Sequence, residues 1–379
     1  MTVGFIGEAR DSVDDRERGH IDTVIGLAEQ FAKLAPDHDE RAEINVANLD
    51  ALHDAGLTAA VLPAAVGGEG LSYRAFGAIV RAIAQGDAAT ATIWAMHTGA
   101  GVGLAELTRD TLGSFFAEQF LAGRRFANAL SEPATGNAFL NPQQDAQPAD
   151  GGWTLSGAKR FVSGSEIADY LLVNARVDGA PAYFAVIPDD SVTFVPIWDT
   201  LGLRATRSQL VSFDDTLLAA DKRGRVPGPT DFAAIPAALP AISLGIADAA
   251  LAALIAHARG REIAGAPLSH QQWVQHAVAD AEIKLTAAHA LYDKALREAD
   301  AHDPAFFPDL NRAKYLANKV AVEVAGLGVR IGGGTGFLKT SPIQRHHRDA
   351  QAGQLMAHST EVLATIIGSD VLGVGAQER

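Results

Sequence analysis

The middle of this chain is unlike its two ends. From about Phe126 to Asp221 the apolar residues gather into short runs, at 170–177, 182–187, 192–197 and 209–213. They are rich in β-branched and aromatic side chains and bounded by Gly, Pro and paired Asp, the pattern of strands. On either side the apolar residues recur at helical spacing. From about Asp14 to Gly123 the chain reads as helices, with turns expected at Pro36 and at Gly67, Gly68 and Gly70. From about Phe232 onward four helical segments stand out, at 236–261, 269–300, 308–330 and 342–372. In the third, Ala313, Leu316, Val320, Val324 and Leu327 line one face. Pro308 and Pro342 sit where helices begin and a missing N–H costs little. The expectation is an α+β chain with a helical domain at 1–124, an antiparallel β-domain at 125–230 and a helical bundle at 231–379. That order excludes a Rossmann fold, which needs alternating strands and helices with a Gly-rich turn after the first strand.

Bulk properties narrow the function. With 379 residues, 48% hydrophobic and 20% charged, the chain has the composition of a globular protein with a large core. A net charge of −14 argues against nucleic acid or an anionic membrane as a main partner. Cysteine is absent, which removes disulfides, thiolate nucleophiles and cysteine metal sites. The first twenty residues lack a basic segment followed by an apolar core, and no run reads as the roughly 20 apolar residues of a membrane span. A cytoplasmic protein with a small-molecule substrate and no bound metal is expected.

The most informative stretch lies between Phe126 and Val177. Ser131, Glu132 and Pro133 are followed by Gly136, then by Trp153, Leu155, Gly157 and Lys159, then by Phe161, Val162, Ser163 and Gly164, and by Ala168 and Asp169. This pattern resembles the flavin-binding β-domain of the acyl-CoA dehydrogenase superfamily. The run 52–87 resembles that family's N-terminal helical domain. The resemblance implies that Ser131 contacts the pyrimidine side of an isoalloxazine ring, that Phe161 walls it, and that Ser163 donates toward N5. It also implies that Arg261, with Gly265 and Gln272, reaches the pyrophosphate of a neighbouring subunit's cofactor, for which a planar guanidinium is well suited. Arg330 and the glycines 332, 333, 334 and 336 match the family's Gly-rich turn, with Gly333 and Gly334 at its centre, and Arg348, Asp349 and Ala350 follow in register. The implied cofactor is FAD, with FMN left open, in a homodimer or homotetramer.

Removing an α-proton from an acyl-CoA requires a positioned carboxylate. By resemblance, that base position falls on Ala357, and the adjacent glycine is His358. Glu361 lies one helical turn further on. The family's second base location, ahead of Leu244, holds no carboxylate before Asp248, and an arginine usual nearby aligns with Pro236. These departures are similar to the two-component flavin monooxygenases of the superfamily, which take reduced flavin from a separate reductase and react through a C4a-hydroperoxide. His97 and His358 match positions where those oxygenases carry histidines facing the flavin, and the resemblance implies that both handle protons there. An acyl-CoA dehydrogenase with a displaced base, or a flavin-binding protein without that chemistry, remain the alternatives.

Overall fold

A computed structural model of the chain describes residues 9–136, 139–228 and 233–374. The boundary expected near 230–232, Phe232 included, lies outside the described residues. The N-terminal helices are α1 (Asp15–Arg41), α2 (Val46–Asp54), α3 (Leu57–Val61), α4 (Tyr73–Gly86), α5 (Ala88–Leu107) and α6 (Gly113–Leu121). Short polar side chains start them: Asp14 accepts from the Glu17 amide, Ser72 from Ala75 and Asp87 from Ala89. Pro36 does not make the expected turn. It sits inside α1, flanked by buried Phe31 and Ala35, and the last helical turn is held from outside. Arg348 pairs with Asp39, and Arg204 Nε donates to the Asp39 carbonyl at 3.0 Å. Tertiary contacts outweigh the lost backbone bond of one proline.

The central domain is two four-stranded sheets. One has the order β1 (Phe126–Ala129), β4 (Tyr170–Val177), β5 (Ala180–Val186), β8 (Arg223–Gly224). The other runs β2 (Gln147–Ala149), β3 (Gly152–Val162), β7 (Gln209–Ala219), β6 (Val192–Val195). All four expected strands are present. The expected all-antiparallel arrangement is corrected at one edge, where β1 pairs parallel to β4. The forty residues between those strands form the crossover that parallel pairing needs, and β3 is inside it.

The C-terminal helices are α7 (Ala234–Gly260), α8 (Gln272–Asp300), α9 (Phe306–Phe337), α10 (Pro342–Leu355) and α11 (Thr360–Leu372), with the short hairpin β9 (Glu262–Ile263) and β10 (Ala266–Pro267) before α8. Two expectations change here. The segment 342–372 is not one helix, because it stops at Met356 and restarts from Ser359, whose hydroxyl caps the Val362 amide. The Gly-rich turn does not end α9 but kinks it, with Gly333 at φ 54°, ψ −143°, a conformation side chains other than hydrogen resist. Helix α7 is long and apolar enough to cross a membrane by length and composition, contrary to the sequence reading. It is instead the buried central helix of the bundle, packed on α4, α9 and α10. Buried residues of α4, α7, α8 and α9 form one continuous core, so the N- and C-terminal helices share a single apolar interior. The β-domain has its own core between the sheets.

Candidate active site

The pattern that marks the site in sequence is held together by a buried ion pair. Lys159 Nζ on β3 donates to Glu132 Oε1 at 2.8 Å and to Asn174 Oδ1 at 2.9 Å, with both charged side chains essentially inaccessible. The other Glu132 oxygen accepts from the Gln143 amide at 2.8 Å. Burial pulls the Lys159 pKa down, and Glu132 opposes it. Glu132 and Lys159 thus fix the loop after β1 against β3. The Arg160 amide completes the tie by donating to the Ser131 carbonyl at 2.8 Å.

Just beyond Lys159 the β3–β7 register slips. A bulge turns the next side chain outward: Phe161 has φ 60° and a half-exposed ring, although Lys159 two positions earlier is wholly buried. Trp198 meets the Phe161 ring edge-on at 6.2 Å, and the Arg160 guanidinium lies 4.2 Å from its centroid. Ser163 follows, nearly buried. Its Oγ lies 2.8 Å from Ser208 Oγ, which lies 2.8 Å from Thr206 Oγ1, which donates to the Leu203 carbonyl at 2.9 Å. The Leu203 amide in turn donates to Asp349 Oδ1 at 2.7 Å. Burial pushes the Asp349 pKa up to about 6. Next to Leu203, a Cβ on Gly202 would run into the Arg348 carbonyl. Arg348 and Asp349 therefore dock the β-domain onto α10.

His358 lies between α10 and α11, its ring 5.6 Å from that of Phe139. The Phe139 carbonyl accepts from Asn174, the same side chain that braces Lys159. The loop carrying His358 is pinned by Lys314 of α9, whose Nζ donates to the Met356 and His358 carbonyls at 2.9 and 2.6 Å. Burial brings Lys314 down to about 7. Burial, then Lys314, lower the His358 pKa, so the imidazole is neutral at neutral pH. Its Nδ1 is buried with no hydrogen-bond partner among the described residues. The carboxylates that the sequence offered for a base are engaged or exposed. Asp349 serves Leu203, Asp248 holds Arg81 and His289 at 3.2 and 2.8 Å, and Glu361 is exposed on α11.

The structure thus brings Ser131, Phe161 and Ser163 to one edge of the β-domain, tied through Asn174 and Phe139 to His358. It does not bring His97 into that set. His97 Nδ1 accepts from the Phe126 amide at 3.0 Å, its ring packs 4.7 Å from Phe120, and burial, with Arg125 adding, holds its pKa at about 3. An imidazole with so low a pKa is neutral near neutral pH, and the contacts seen for His97 are ring packing and the anchoring of the Phe126 amide. Arg261 closes α7, and Gln272 opens α8; both are exposed around the β9–β10 hairpin. Gly333 and Gly334 are exposed at the α9 kink, where an added Cβ would meet nothing. Glu132, Lys159, Thr206, Ser208 and Lys314 carry the site without having been singled out for these roles in the sequence.

These residues fit a flavin. A bulge-presented aromatic ring offers an apolar face, and a strand-end hydroxyl lies beside it. Helical layer, two-sheet domain and helical bundle around such a site define a flavin-dependent oxidoreductase. Three family models match in chain order: the N-terminal domain of acyl-CoA dehydrogenase over residues 17–121, its middle domain over 127–216 and its C-terminal domain over 237–372. The chain belongs to the acyl-CoA dehydrogenase superfamily. It is 28% identical over 359 residues to the putative acyl-CoA dehydrogenase YdbM of Bacillus subtilis, covering 90% of this chain and 93% of that one. Among solved structures, butyryl-CoA dehydrogenase from Megasphaera elsdenii is similar at TM-score 0.86 and 25% identity, covering 95% and 99%. KijD3 in complex with FMN and a dTDP-amino-keto sugar is similar at TM-score 0.85 and 25% identity, covering 97% and 96%.

Proposed function

We propose that this flavin-dependent oxidoreductase is a monooxygenase that uses reduced flavin delivered by a separate reductase. The observation that carries the reading is His358. At the junction where a dehydrogenase of this family would hold its base, the chain carries a neutral imidazole whose buried Nδ1 has no partner among the described residues, and Asp349 and Asp248 are committed elsewhere. A proton acceptor too weak to take an α-proton is still able to orient a polar substrate group and receive its proton. Bound flavin supplies the oxygen chemistry. This chain supplies Phe161 as the wall, Ser131 and Ser163 as edge contacts, and His358, fixed by Lys314, as the substrate-side group. The similarity to KijD3, whose structure holds FMN and an amino sugar nucleotide, favours FMN or FAD used in reduced form and a polar substrate. Arg261, Gln272 and the Gly333–Gly334 kink are assigned to a neighbouring subunit's cofactor phosphates in a homodimer or homotetramer.

The test is an anaerobic titration of the oxidised flavin complex with acyl-CoAs of graded chain length. No loss of oxidised-flavin absorbance is expected. Bleaching without added reductant would make the protein a dehydrogenase with a displaced base.

A further inference from the structure

We infer that Thr206, acting through Ser208, fixes the Ser163 hydroxyl as a hydrogen-bond acceptor and so makes the site select reduced over oxidised flavin. The inference rests on the flavin placement proposed above and adds the group that reads the redox state.

Counting protons along three hydroxyls fixes which one donates at each contact. A carbonyl oxygen can only accept. Thr206 Oγ1, 2.9 Å from the Leu203 carbonyl, therefore spends its one proton there. At the 2.8 Å contact between Thr206 and Ser208, Ser208 must then be the donor. Its proton is spent in turn, so at the 2.8 Å contact between Ser208 and Ser163 the donor is Ser163. What Ser163 has left to offer a ligand is lone pairs. Reduced flavin carries a proton on N5 and matches an acceptor. Oxidised flavin has a bare nitrogen there and needs a donor.

The opposite ordering would let Ser163 donate outward, but it leaves Thr206 Oγ1 and the Leu203 carbonyl facing each other 2.9 Å apart with no proton between them. Thr206 is wholly buried and Ser208 nearly so, so the repulsion between two facing oxygens is weakly screened there, even though the Leu203 carbonyl also accepts from the Thr206 amide at 3.1 Å. The anchor is itself rigid. The Leu203 carbonyl also accepts from Trp198 Nε1 at 3.1 Å, and the Leu203 amide is held by Asp349. The sequence expectation that Ser163 donates toward N5 is thereby reversed for the resting arrangement. Thr206 and Ser208 are positioning residues: they act through Ser163.

The experiment measures dissociation constants of oxidised and anaerobically reduced FMN and FAD for the full chain, by quenching of protein fluorescence. Converting one lost buried hydrogen bond to affinity, reduced flavin should bind about tenfold tighter or more. Thr206→Val and Ser208→Ala free the relay, and the ratio should collapse toward one. Thr206→Ser keeps the hydroxyl and should restore it, which a merely structural role for Thr206 would not predict. The midpoint potential of the bound flavin should fall by roughly 30 mV in Thr206→Val, the two-electron equivalent of a tenfold ratio. A wild-type ratio near one, or a ratio unchanged in both Thr206→Val and Ser208→Ala, overturns the relay while leaving the flavin placement standing. If Ser163→Ala alters neither affinity, the flavin does not lie at Ser163, and the placement itself falls with the relay.

Discussion

Replacing Glu132 with Gln tests whether the buried ion pair, and not the flavin, explains the Ser-Glu-Pro and Gly-x-Lys pattern. Gln has nearly the same volume but a single acceptor oxygen, whereas Glu132 uses one oxygen for Lys159 and the other for the Gln143 amide. One partner is left without its acceptor, and Lys159 loses its counter-charge at a position with no solvent exposure. Removing one member of a buried pair costs about 3–5 kcal/mol. An unfolding entropy of about 2 cal/mol/K per residue over 379 residues is about 0.8 kcal/mol/K, so the melting temperature should drop by about 4–6 °C. The pH dependence has a defined sign. Burial already lowers the Lys159 pKa, and the two contributions from Glu132 that raise it disappear in the variant. A lysine with a folded pKa below its unfolded value destabilises fully below the folded pKa, and the cost fades as pH rises toward the unfolded value. The deficit, read by differential scanning fluorimetry, should therefore be larger at about pH 7 than at about pH 9. A melting temperature within about 1 °C of wild type, or a deficit that grows with pH, would refute the assignment.

Other perturbations reach the remaining parts of the account. Gly202→Ala drives a Cβ into the Arg348 carbonyl and should cost about 1–3 kcal/mol, seen as earlier proteolysis between the β-domain and the bundle; unaltered protease resistance would contradict that docking contact. His97→Leu strands the Phe126 amide and should cost about 1–3 kcal/mol, while flavin affinity stays at the wild-type value. Because folded His97 titrates near 3 and an unfolded histidine near about 6.5, wild type loses stability below about pH 6.5, so that cost should be flat above about pH 7 and shrink toward pH 5. His358→Gln should release more hydrogen peroxide per flavin reoxidised. It should also remove a small loss of stability that wild type shows as pH falls through about 6.5, since a histidine with a lowered folded pKa resists protonation. Equal peroxide yield in the two proteins would detach His358 from the chemistry.

The helix–sheet–helix order was legible because each part keeps its own periodicity over long segments. The strand at 170–177 and the α9 face through Val320 and Val324 follow directly from it. Ends and interruptions were harder. Ser359 with Glu361 is a local helix-start signal inside what reads as one helix, and Lys314, more than forty residues away, secures the break by binding the Met356 and His358 carbonyls. In the site, Phe161 and Ser163 could be found because they belong to a contiguous pattern. Glu132 and Lys159 stood in that pattern with no visible purpose until β3 and the β1 loop were seen to share one buried charge pair. Thr206 and Ser208 had no signal at all. Short hydroxyl residues have no spacing that marks them, and their meaning depends on the Leu203 carbonyl to which they point. The surroundings of His97 had no sequence signal, because an apolar helix with one histidine looks the same whether the imidazole faces a ligand or, as its Nδ1 does, a backbone amide.

The claim that matters most is that this site receives reduced flavin and uses oxygen. It is tested by reducing the flavin complex anaerobically and mixing it with oxygenated buffer in a stopped-flow spectrometer, following oxygen uptake and oxidised-flavin absorbance together. The account predicts that oxygen disappears first and that oxidised-flavin absorbance returns after a distinct lag, shortened in His358→Ala. Simultaneous oxygen loss and flavin reoxidation, with no lag in wild type, would contradict it.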